Sequence, residues 1–161
     1  EQAGNELELT EMDLYAFLSQ KVKHYELQAK EKAVSIELCD DASIHGAYSL
    51  DTDKLDRIFD NLVSNSLRYT PANGEILISA SADQKAITYR VCDTGGGFSK
   101  RDLERATERF YRGDEARQSG EGHSGLGLYT LKQLVHQLGG RVELSNRKDG
   151  GACVQFSQKI F

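Results

Sequence analysis

Two asparagines in one predicted helix have the side chains and the spacing to bind a charged ligand. Residues 51–69 show a helical period of apolar residues, and Asn61 and Asn65 lie four positions apart within this segment. That spacing places both amides on one side of the helix, beside its apolar stripe. An amide oxygen is a neutral hard ligand that can hold Mg²⁺ beside phosphates without adding negative charge. The alternative is that both residues are ordinary surface or capping asparagines.

An acidic residue is followed by a run of glycines in the stretch "VCDTGGGF" (residues 91–98). Asp93 ends an apolar, strand-like run, and three glycines follow after one threonine. Glycine lets the backbone approach a flat or charged ligand closely or adopt a positive φ. A carboxylate at this point can accept a hydrogen bond from an exocyclic amine such as that of adenine. The alternative is a hairpin turn, although the polar stretch that follows exceeds the usual connection of about 4–6 residues.

A second glycine-rich stretch, "GHSGLGL" (residues 122–128), stands directly before a predicted amphipathic helix. Glycines at this place leave the N–H groups of the first helical turn accessible, and the helix dipole favours an anion there. Gly122, Gly125 and Gly127 therefore predict a phosphate-binding loop. The stretch contains neither the GKS/T of a Walker loop nor the GxGxxG pattern. The alternative is a flexible loop that only precedes a helix.

The composition indicates one soluble globular domain that comprises residues 1–161. The chain is 39% apolar and 28% charged, and its net charge of −5 argues against a nucleic-acid-binding protein. No apolar run of about 18 residues and no signal-peptide pattern is present, so we expect a cytoplasmic location. Cys39, Cys92 and Cys153 lie far apart without a CxxC motif, and we expect them to be reduced cysteines in the core.

The elements that position these motifs are predicted from two periodicities. Strand-like alternation or short apolar runs cover residues 6–10, 33–39, 45–50, 75–82, 86–93, 141–146 and 152–160. Helical spacing begins after Asp13, an expected N-cap, and returns over residues 51–69, about 99–107 and about 124–138. The last four strands are expected to form two hairpins. Strands interspersed with helices but including hairpins predict a mixed sheet covered by helices, which is a two-layer α/β sandwich.

Taken in order, the motifs resemble those of the ATP-binding domain of sensor histidine kinases, in the superfamily shared with gyrase, MutL and the ninety-kilodalton heat-shock chaperone. "DNLVSNSLRYTP" (residues 60–71) is similar to the family's N box and "DTGGGF" (93–98) to its G1 box. "ERFYRGD" (108–114) and "GHSGLGL" (122–128) are similar to its F and G2 boxes. The resemblance runs from about residue 10 to 160. It implies the Bergerat fold, a mixed, mostly antiparallel sheet covered on one face by helices, with a mobile ATP lid over about residues 95–124.

The resemblance implies how the adenine end of ATP is bound. Asp93 would read the adenine amino group, and Gly95 and Gly97 would shape that end of the pocket. Tyr69 would pack near the base. The chain departs from the family pattern at Thr94, where the family often has asparagine.

At the phosphate end, the resemblance implies that Asn65 coordinates Mg²⁺ and that Asn61 and Arg68 face the polyphosphate, with Asn61 as a catalytic residue. Phe110 and Arg112 belong to the F box in the lid, where Arg112 would meet the γ-phosphate as a catalytic cation. The remaining residues expected to line the phosphate site come from the G2 box: Gly122, Ser124, Gly125, Leu126, Gly127 and Leu128.

The residue at position 61 distinguishes branches of the family. ATP-hydrolysing members carry a glutamate four residues before the metal-binding asparagine, where it acts as general base. An amide such as that of Asn61 cannot take a proton from water, so the sequence favours a kinase over a gyrase-like ATPase. Two alternatives stay open: a serine kinase of the anti-sigma-factor type, and a non-catalytic docking module of the same fold. The fuller F box and the "RYTP" ending favour the histidine kinases.

No histidine in the chain has the H-E-x-x-T/P context of a phosphoacceptor. The four histidines are His24, His45, His123 and His136. The resemblance therefore implies a catalytic fragment, itself a monomer, whose γ-phosphoryl acceptor lies on a separate dimerisation domain of a longer, homodimeric parent. The parent is expected to be anchored in a bacterial inner membrane and to pass the phosphoryl group to a response regulator.

Overall fold

The computed structural model describes residues 6–105 and 126–161. Its strands, in chain order, are β1 (Thr10–Asp13), β2 (Ser35–Leu38), β3 (Ala47–Leu50), β4 (Glu75–Ala82), β5 (Ala86–Asp93), β6 (Val142–Asn146) and β7 (Ala152–Lys159). Its helices are α1 (Leu14–Glu31), α2 (Thr52–Tyr69), α3 (Lys100–Arg105) and α4 (Leu126–Gln137). A short 3₁₀ helix, Ala42–Ile44, lies between β2 and β3.

Five of these strands form one mixed sheet in the order β2-β4-β5-β7-β6, and β1 pairs with β3 in a separate two-stranded sheet. β2 runs parallel to β4, whereas β4–β5, β5–β7 and β6–β7 are antiparallel. Both hairpins predicted from the sequence are confirmed. In β5, Ile87, Tyr89 and Val91 are buried while Arg90 is exposed, so one face of the sheet meets the core. The prediction of an α/β sandwich with a mixed, mostly antiparallel sheet is confirmed.

The core lies between this face of the sheet and helices α1, α2 and α4. Phe59 of α2 packs edge-on against Tyr89 of β5 and Phe156 of β7, with ring centroids 5.7 and 5.5 Å apart. Buried leucines of the other two helices, Leu18 and Leu131, belong to the same cluster. Burial of large apolar and aromatic side chains is the main stabilising contribution in a domain of this kind, and it fixes α2 against the sheet.

Two aspartates determine where the long helices begin. Asp13, the predicted N-cap of α1, accepts a hydrogen bond from the N–H of Ala16 at 2.8 Å. Asp51 accepts one from the N–H of Lys54 at 3.1 Å and caps α2. Each bond satisfies a donor that the first helical turn leaves unpaired, and such a cap typically contributes about 1 kcal/mol. The helix that carries Asn61 and Asn65 therefore starts at a position that the sequence specifies.

The first strand differs from its predicted position. The sequence predicts a strand over residues 6–10, but β1 spans Thr10–Asp13. The start of α2 explains the shift, because Oδ2 of Asp51 accepts a hydrogen bond from the N–H of Glu8 at 3.0 Å. In addition, Nζ of Lys54 donates to the carbonyl oxygen of Glu6 at 3.2 Å. These bonds hold the chain before β1 against a helix rather than beside a strand.

The prediction of three reduced core cysteines is wrong. Cys92 and Cys153 lie opposite each other in the β5–β7 pair, with their Cα atoms 4.1 Å apart, and they form a disulfide. Cys39 is exposed. The sequence separation of 61 between the bonded cysteines conceals the strand register that brings them together.

Beside the undescribed residues, the sequence predicts a short helix over about 99–107 and a longer one over about 124–138. α3 and α4 confirm both within the described ranges, and the predicted ends at 107 and 124 lie outside those ranges. Among the helices of residues 6–105 and 126–161, none is long and apolar enough to cross a membrane.

Candidate functional site

The carboxylate of Asp93 is held in one orientation at the end of β5. The residue is only 6% exposed. Its Oδ1 accepts hydrogen bonds from the N–H of Gly95 at 2.9 Å and from the N–H of Ala152, the first residue of β7, at 3.2 Å. No hydrogen bond from residues 6–105 or 126–161 reaches Oδ2. The carboxylate therefore keeps one oxygen that can accept a hydrogen bond from a ligand N–H without any rearrangement.

The loop after Asp93 touches the end of α2 through a glycine. A Cβ atom at Gly95 would lie 2.5 Å from the carbonyl oxygen of Tyr69, a distance that real Cβ contacts do not show. Gly97 has φ +80°, in the left-handed region that favours glycine. The two glycines that the sequence singled out are thus required by a close approach and by a positive φ. Gly95 thereby allows the last residue of α2 to lie next to the loop that begins at Asp93.

One side of α2 carries the remaining predicted residues of the N box. Asn61 and Asn65 lie one turn apart and are both half-buried, as expected beside an apolar stripe. Arg68 follows at the next step along that side and is exposed, and Tyr69 is half-buried. Because the carbonyl oxygen of Tyr69 lies against Gly95, this side of α2 ends beside the loop that follows Asp93. The structure therefore brings the C-terminal end of the N box, at Tyr69, against the G1-box residue Gly95.

Helix α4 packs beside α2 and carries the last residues of the G2 box. Leu126, Gly127 and Leu128 form its first turn. Leu131 and Val135 of α4 are fully buried, which anchors the helix in the core. The N-terminal turn of a helix favours an anion, so the location of these three residues is compatible with the predicted phosphate loop.

Five predicted site residues lie outside the described residues. They are the F-box residues Phe110 and Arg112 and the G2-box residues Gly122, Ser124 and Gly125. The predicted lid over residues 95–124 is therefore described only as far as Arg105.

The turn between β6 and β7 contributes contacts that the sequence analysis did not identify. Gly151 has φ +108°, and a Cβ atom there would lie 1.9 Å from the carbonyl oxygen of Asp93. The guanidinium of Arg147 donates a hydrogen bond to that same carbonyl oxygen at 3.3 Å. Ala152 supplies the N–H described above. The only local signal in the sequence is the Gly150-Gly151 pair, which indicates a turn but not its partner.

Among the described residues, no three His, Cys, Asp or Glu side chains come together as a preformed metal site. A divalent ion at this place would therefore depend on amide and ligand oxygens. Half-buried amides such as that of Asn65 are chemically suited to that role, because Mg²⁺ is usually held by one or two protein oxygens together with substrate phosphates.

Residues 50–160 match the family described as histidine kinase-, DNA gyrase B-, and HSP90-like ATPase. The sensor histidine kinase WalK of Bacillus subtilis is 28% identical over 148 residues, which cover 91% of this chain and 24% of WalK. The chain thus spans about a quarter of the length of this curated relative.

Solved structures show the same fold. The crystal structure of full-length ShkA in complex with AMPPNP is similar with a TM-score of 0.80 and 26% identity, over 96% of this chain and 32% of that chain. The structure of the histidine kinase ThkA in complex with the response regulator protein TrrA has a TM-score of 0.75 over 96% of this chain and 42% of that chain. Because ThkA is only 19% identical, that likeness concerns the fold alone.

Proposed function

Because the chain belongs to the family of histidine kinase-, DNA gyrase B- and HSP90-like ATPases, we propose that it is the ATP-binding catalytic domain of a two-component sensor histidine kinase. In this proposal the domain binds Mg-ATP and delivers the γ-phosphoryl group to a histidine on a separate domain. The observation that carries the proposal is the arrangement around Asp93, whose Oδ1 is occupied by two backbone donors while Oδ2 remains available.

Asp93 recognises adenine through Oδ2, which accepts a hydrogen bond from the exocyclic amino group. Since Gly95 and Ala152 hold Oδ1, the carboxylate loses little conformational freedom when the base binds. Gly95 and Gly97 shape the adjoining loop, and Tyr69 packs near the base. ShkA, whose structure contains AMPPNP, is the solved relative that supports an adenine nucleotide as the ligand.

At the phosphate end, Asn65 offers an amide oxygen to Mg²⁺, while Asn61 and Arg68 face the phosphates. When bound, the ion neutralises phosphate charge and orients the phosphates. A neutral amide suits this place because a carboxylate would add negative charge beside the nucleotide. Arg68 is exposed near the end of α2, where its guanidinium can meet a phosphate oxygen without the cost of burying its charge.

The proposed reaction is phosphoryl transfer and not hydrolysis. Asn61 lies at the position from which a general base would activate water, and its amide cannot accept a proton. The chain's own contribution is to hold the nucleotide in place and to shape the charge around its phosphates. Arg112 is the catalytic cation of this proposal, with Phe110 in the same box. The G2-box residues Gly122, Ser124, Gly125, Leu126, Gly127 and Leu128 clasp the phosphates.

The partners of the domain follow from the same proposal. The acceptor histidine is carried by a dimerisation domain of a longer parent chain, and a response regulator receives the phosphoryl group. The ThkA structure contains the response regulator protein TrrA, and a response regulator is the kind of partner proposed here. We also propose that the parent is a homodimer in the bacterial inner membrane and that this domain lies on the cytoplasmic side.

Calorimetric titration of the domain with ATP, with and without Mg²⁺, followed by an assay of phosphate release, tests the proposal. We expect Mg²⁺-dependent binding with negligible hydrolysis, and no acid-labile phosphate on the domain's own histidines. Steady ATP turnover would contradict the role given to Asn61 and would place the chain in the ATPase branch. An absence of binding would favour the non-catalytic docking module.

A further inference from the structure

Asn146, the last residue of β6, pairs with both backbone polar groups of Phe98. The N–H of Phe98 donates to Oδ1 of Asn146 at 2.7 Å, and Nδ2 of Asn146 donates to the carbonyl oxygen of Phe98 at 2.8 Å. A side-chain amide carries the same donor and acceptor as a peptide group. Asn146 therefore binds Phe98 as a neighbouring strand would, although β6 is the edge strand of the sheet.

These bonds lie at the far end of the glycine-rich loop from Asp93. The near end of the loop is fixed where Gly151 and Arg147 contact the carbonyl oxygen of Asp93. The far end is fixed at Phe98 by Asn146. Gly97 is shaped by the same side chain, since a Cβ atom at Gly97 would lie 3.0 Å from Oδ1 of Asn146. Both ends of the loop are thus attached to the chain around the β6–β7 turn, 48 to 59 residues further along.

The residues between these two ends have little conformational preference of their own. Three consecutive glycines, 95–97, lose more backbone entropy on ordering than any other three residues would. Their side-chain-free backbone cannot hold itself by burial. Attachment of its two ends therefore helps to keep the loop in contact with the end of α2.

We propose that Asn146 is a positioning residue for nucleotide binding, which acts through the backbone of Phe98 and does not touch the nucleotide. This inference rests on the proposed function, since it assumes that the loop after Asp93 binds adenine. Without the two hydrogen bonds, the loop has the conformation that binds nucleotide in a smaller fraction of the molecules. The apparent dissociation constant is the intrinsic one divided by that fraction, so it rises.

The test compares Asn146→Ala with the wild type in competition titrations of ADP and GDP against a fluorescent ATP analogue. We expect the affinity of the variant for ADP to fall about fivefold, which corresponds to the loss of two solvent-exposed hydrogen bonds. The affinity for GDP should change less, because guanine presents a carbonyl oxygen and not an amino group to Asp93. The ratio of ADP to GDP affinity should therefore decrease.

The ratio of ADP affinity to GDP affinity distinguishes a positioning role from a general loss of folded protein, because partial unfolding lowers the apparent affinity for both nucleotides equally. Ser145→Ala, at the exposed neighbour of Asn146, is the matched control and should leave both affinities unchanged. Asn146→Asp keeps the acceptor for the Phe98 N–H but replaces the donor by a charged oxygen that faces the carbonyl oxygen of Phe98. It serves as the test if the alanine variant does not fold. Its ADP affinity should lie below that of the wild type.

Two results would overturn the inference, and a third would overturn its premise. Equal ADP affinity of the wild type and Asn146→Ala would show that Asn146 does not position the loop. An unchanged ADP to GDP ratio with weaker binding of both would show a merely structural role. If the wild type binds neither nucleotide, the proposed function fails first and the inference fails with it.

Discussion

The N–H of Ala152 donates a hydrogen bond to Oδ1 of Asp93 across 3.2 Å, although the two residues are 59 positions apart in the chain. The start of β7 therefore orients the acidic side chain at the end of β5. Since the N–H of Gly95 occupies the same oxygen at 2.9 Å, rotation of the carboxylate would break two hydrogen bonds. Among the described residues, none donates a hydrogen bond to Oδ2.

Asp93→Asn should reduce the affinity for ATP by roughly a hundredfold while leaving the fold intact. The two backbone N–H groups at the Oδ1 position select the amide oxygen, so the amide nitrogen is turned towards the ligand. The amide N–H groups would then face the N–H groups of the adenine amino group. Loss of a buried hydrogen bond to a charged carboxylate costs about 2–3 kcal/mol. Calorimetry measures the affinity, and circular dichroism checks the fold.

The matched control for Asp93→Asn is Asp83→Asn. Asp83 accepts hydrogen bonds from the backbone N–H groups of Lys85 and Ala86, at 2.7 and 2.9 Å, in the turn at the other end of β5. Asp83→Asn thus changes a carboxylate that also accepts two backbone hydrogen bonds but lies far from the candidate site. ATP affinity should not change. Unchanged binding in Asp93→Asn itself would refute the role given to Asp93.

Gly95→Ala should weaken both folding and nucleotide binding. The added Cβ would lie 2.5 Å from the carbonyl oxygen of Tyr69, so either the loop or the end of α2 must shift. We expect a loss of about 1–3 kcal/mol in the free energy of unfolding, measured by urea denaturation. Gly46→Ala is the control, since its Cβ would meet nothing closer than 3.9 Å, and its effect should stay within about 0.5 kcal/mol. Wild-type stability and affinity in Gly95→Ala would contradict this close approach.

Asn65→Ala should weaken the binding of ATP roughly tenfold when Mg²⁺ is present, which is equivalent to about 1.4 kcal/mol. In EDTA the same variant should bind ATP almost as the wild type does, because only the proposed ligand of the ion has been removed. Ser64→Ala, at an exposed neighbouring position on α2, provides the control. Equal weakening with and without Mg²⁺ would indicate that Asn65 contacts the nucleotide directly and does not ligate the ion.

Tyr25 should make the stability of the domain depend on pH in alkaline solution. Burial, and then the hydrogen bond that its hydroxyl donates to Asp60, raise the pKa of Tyr25 above the ordinary value of 10.0. The folded state therefore keeps a proton that the unfolded state releases, so the stabilisation is complete below pH 10 and decreases as the pH rises above it. One such group changes the slope by at most about 1.4 kcal/mol per pH unit.

Tyr25→Phe should make that alkaline decrease less steep, as measured by urea denaturation between about pH 9 and pH 11. Tyr15→Phe, which removes the phenol of α1 that stacks on His45, serves as the control. An identical slope in Tyr25→Phe and the wild type would contradict the linkage. Lys21, which forms an ion pair with Asp56 at 3.0 Å, continues to join α1 to α2 in both variants.

Local patterns in the sequence were sufficient to predict α2, both hairpins and the position of Asp93 at a strand end. These features depend on a repeating apolar period, on turn residues and on N-caps, all of which act over a few residues. The pairing of Asn146 with Phe98 could not be predicted in this way, because it joins residues 48 positions apart. It depends on the register of β6 against β7 and of β7 against β5, which no short window contains. The same reason explains why the bonded cysteines were expected to be reduced.

The bond between Cys92 and Cys153 turns the chain between them into a covalently closed ring. That ring contains α3, α4, β6 and residues 106–125. A protease that cuts one peptide bond anywhere within it would leave two fragments that still migrate together on a non-reducing gel and separate only after reduction. After any cut between Asp93 and Ala152, one fragment would carry Asp93 and the other Ala152, and the disulfide would still join them.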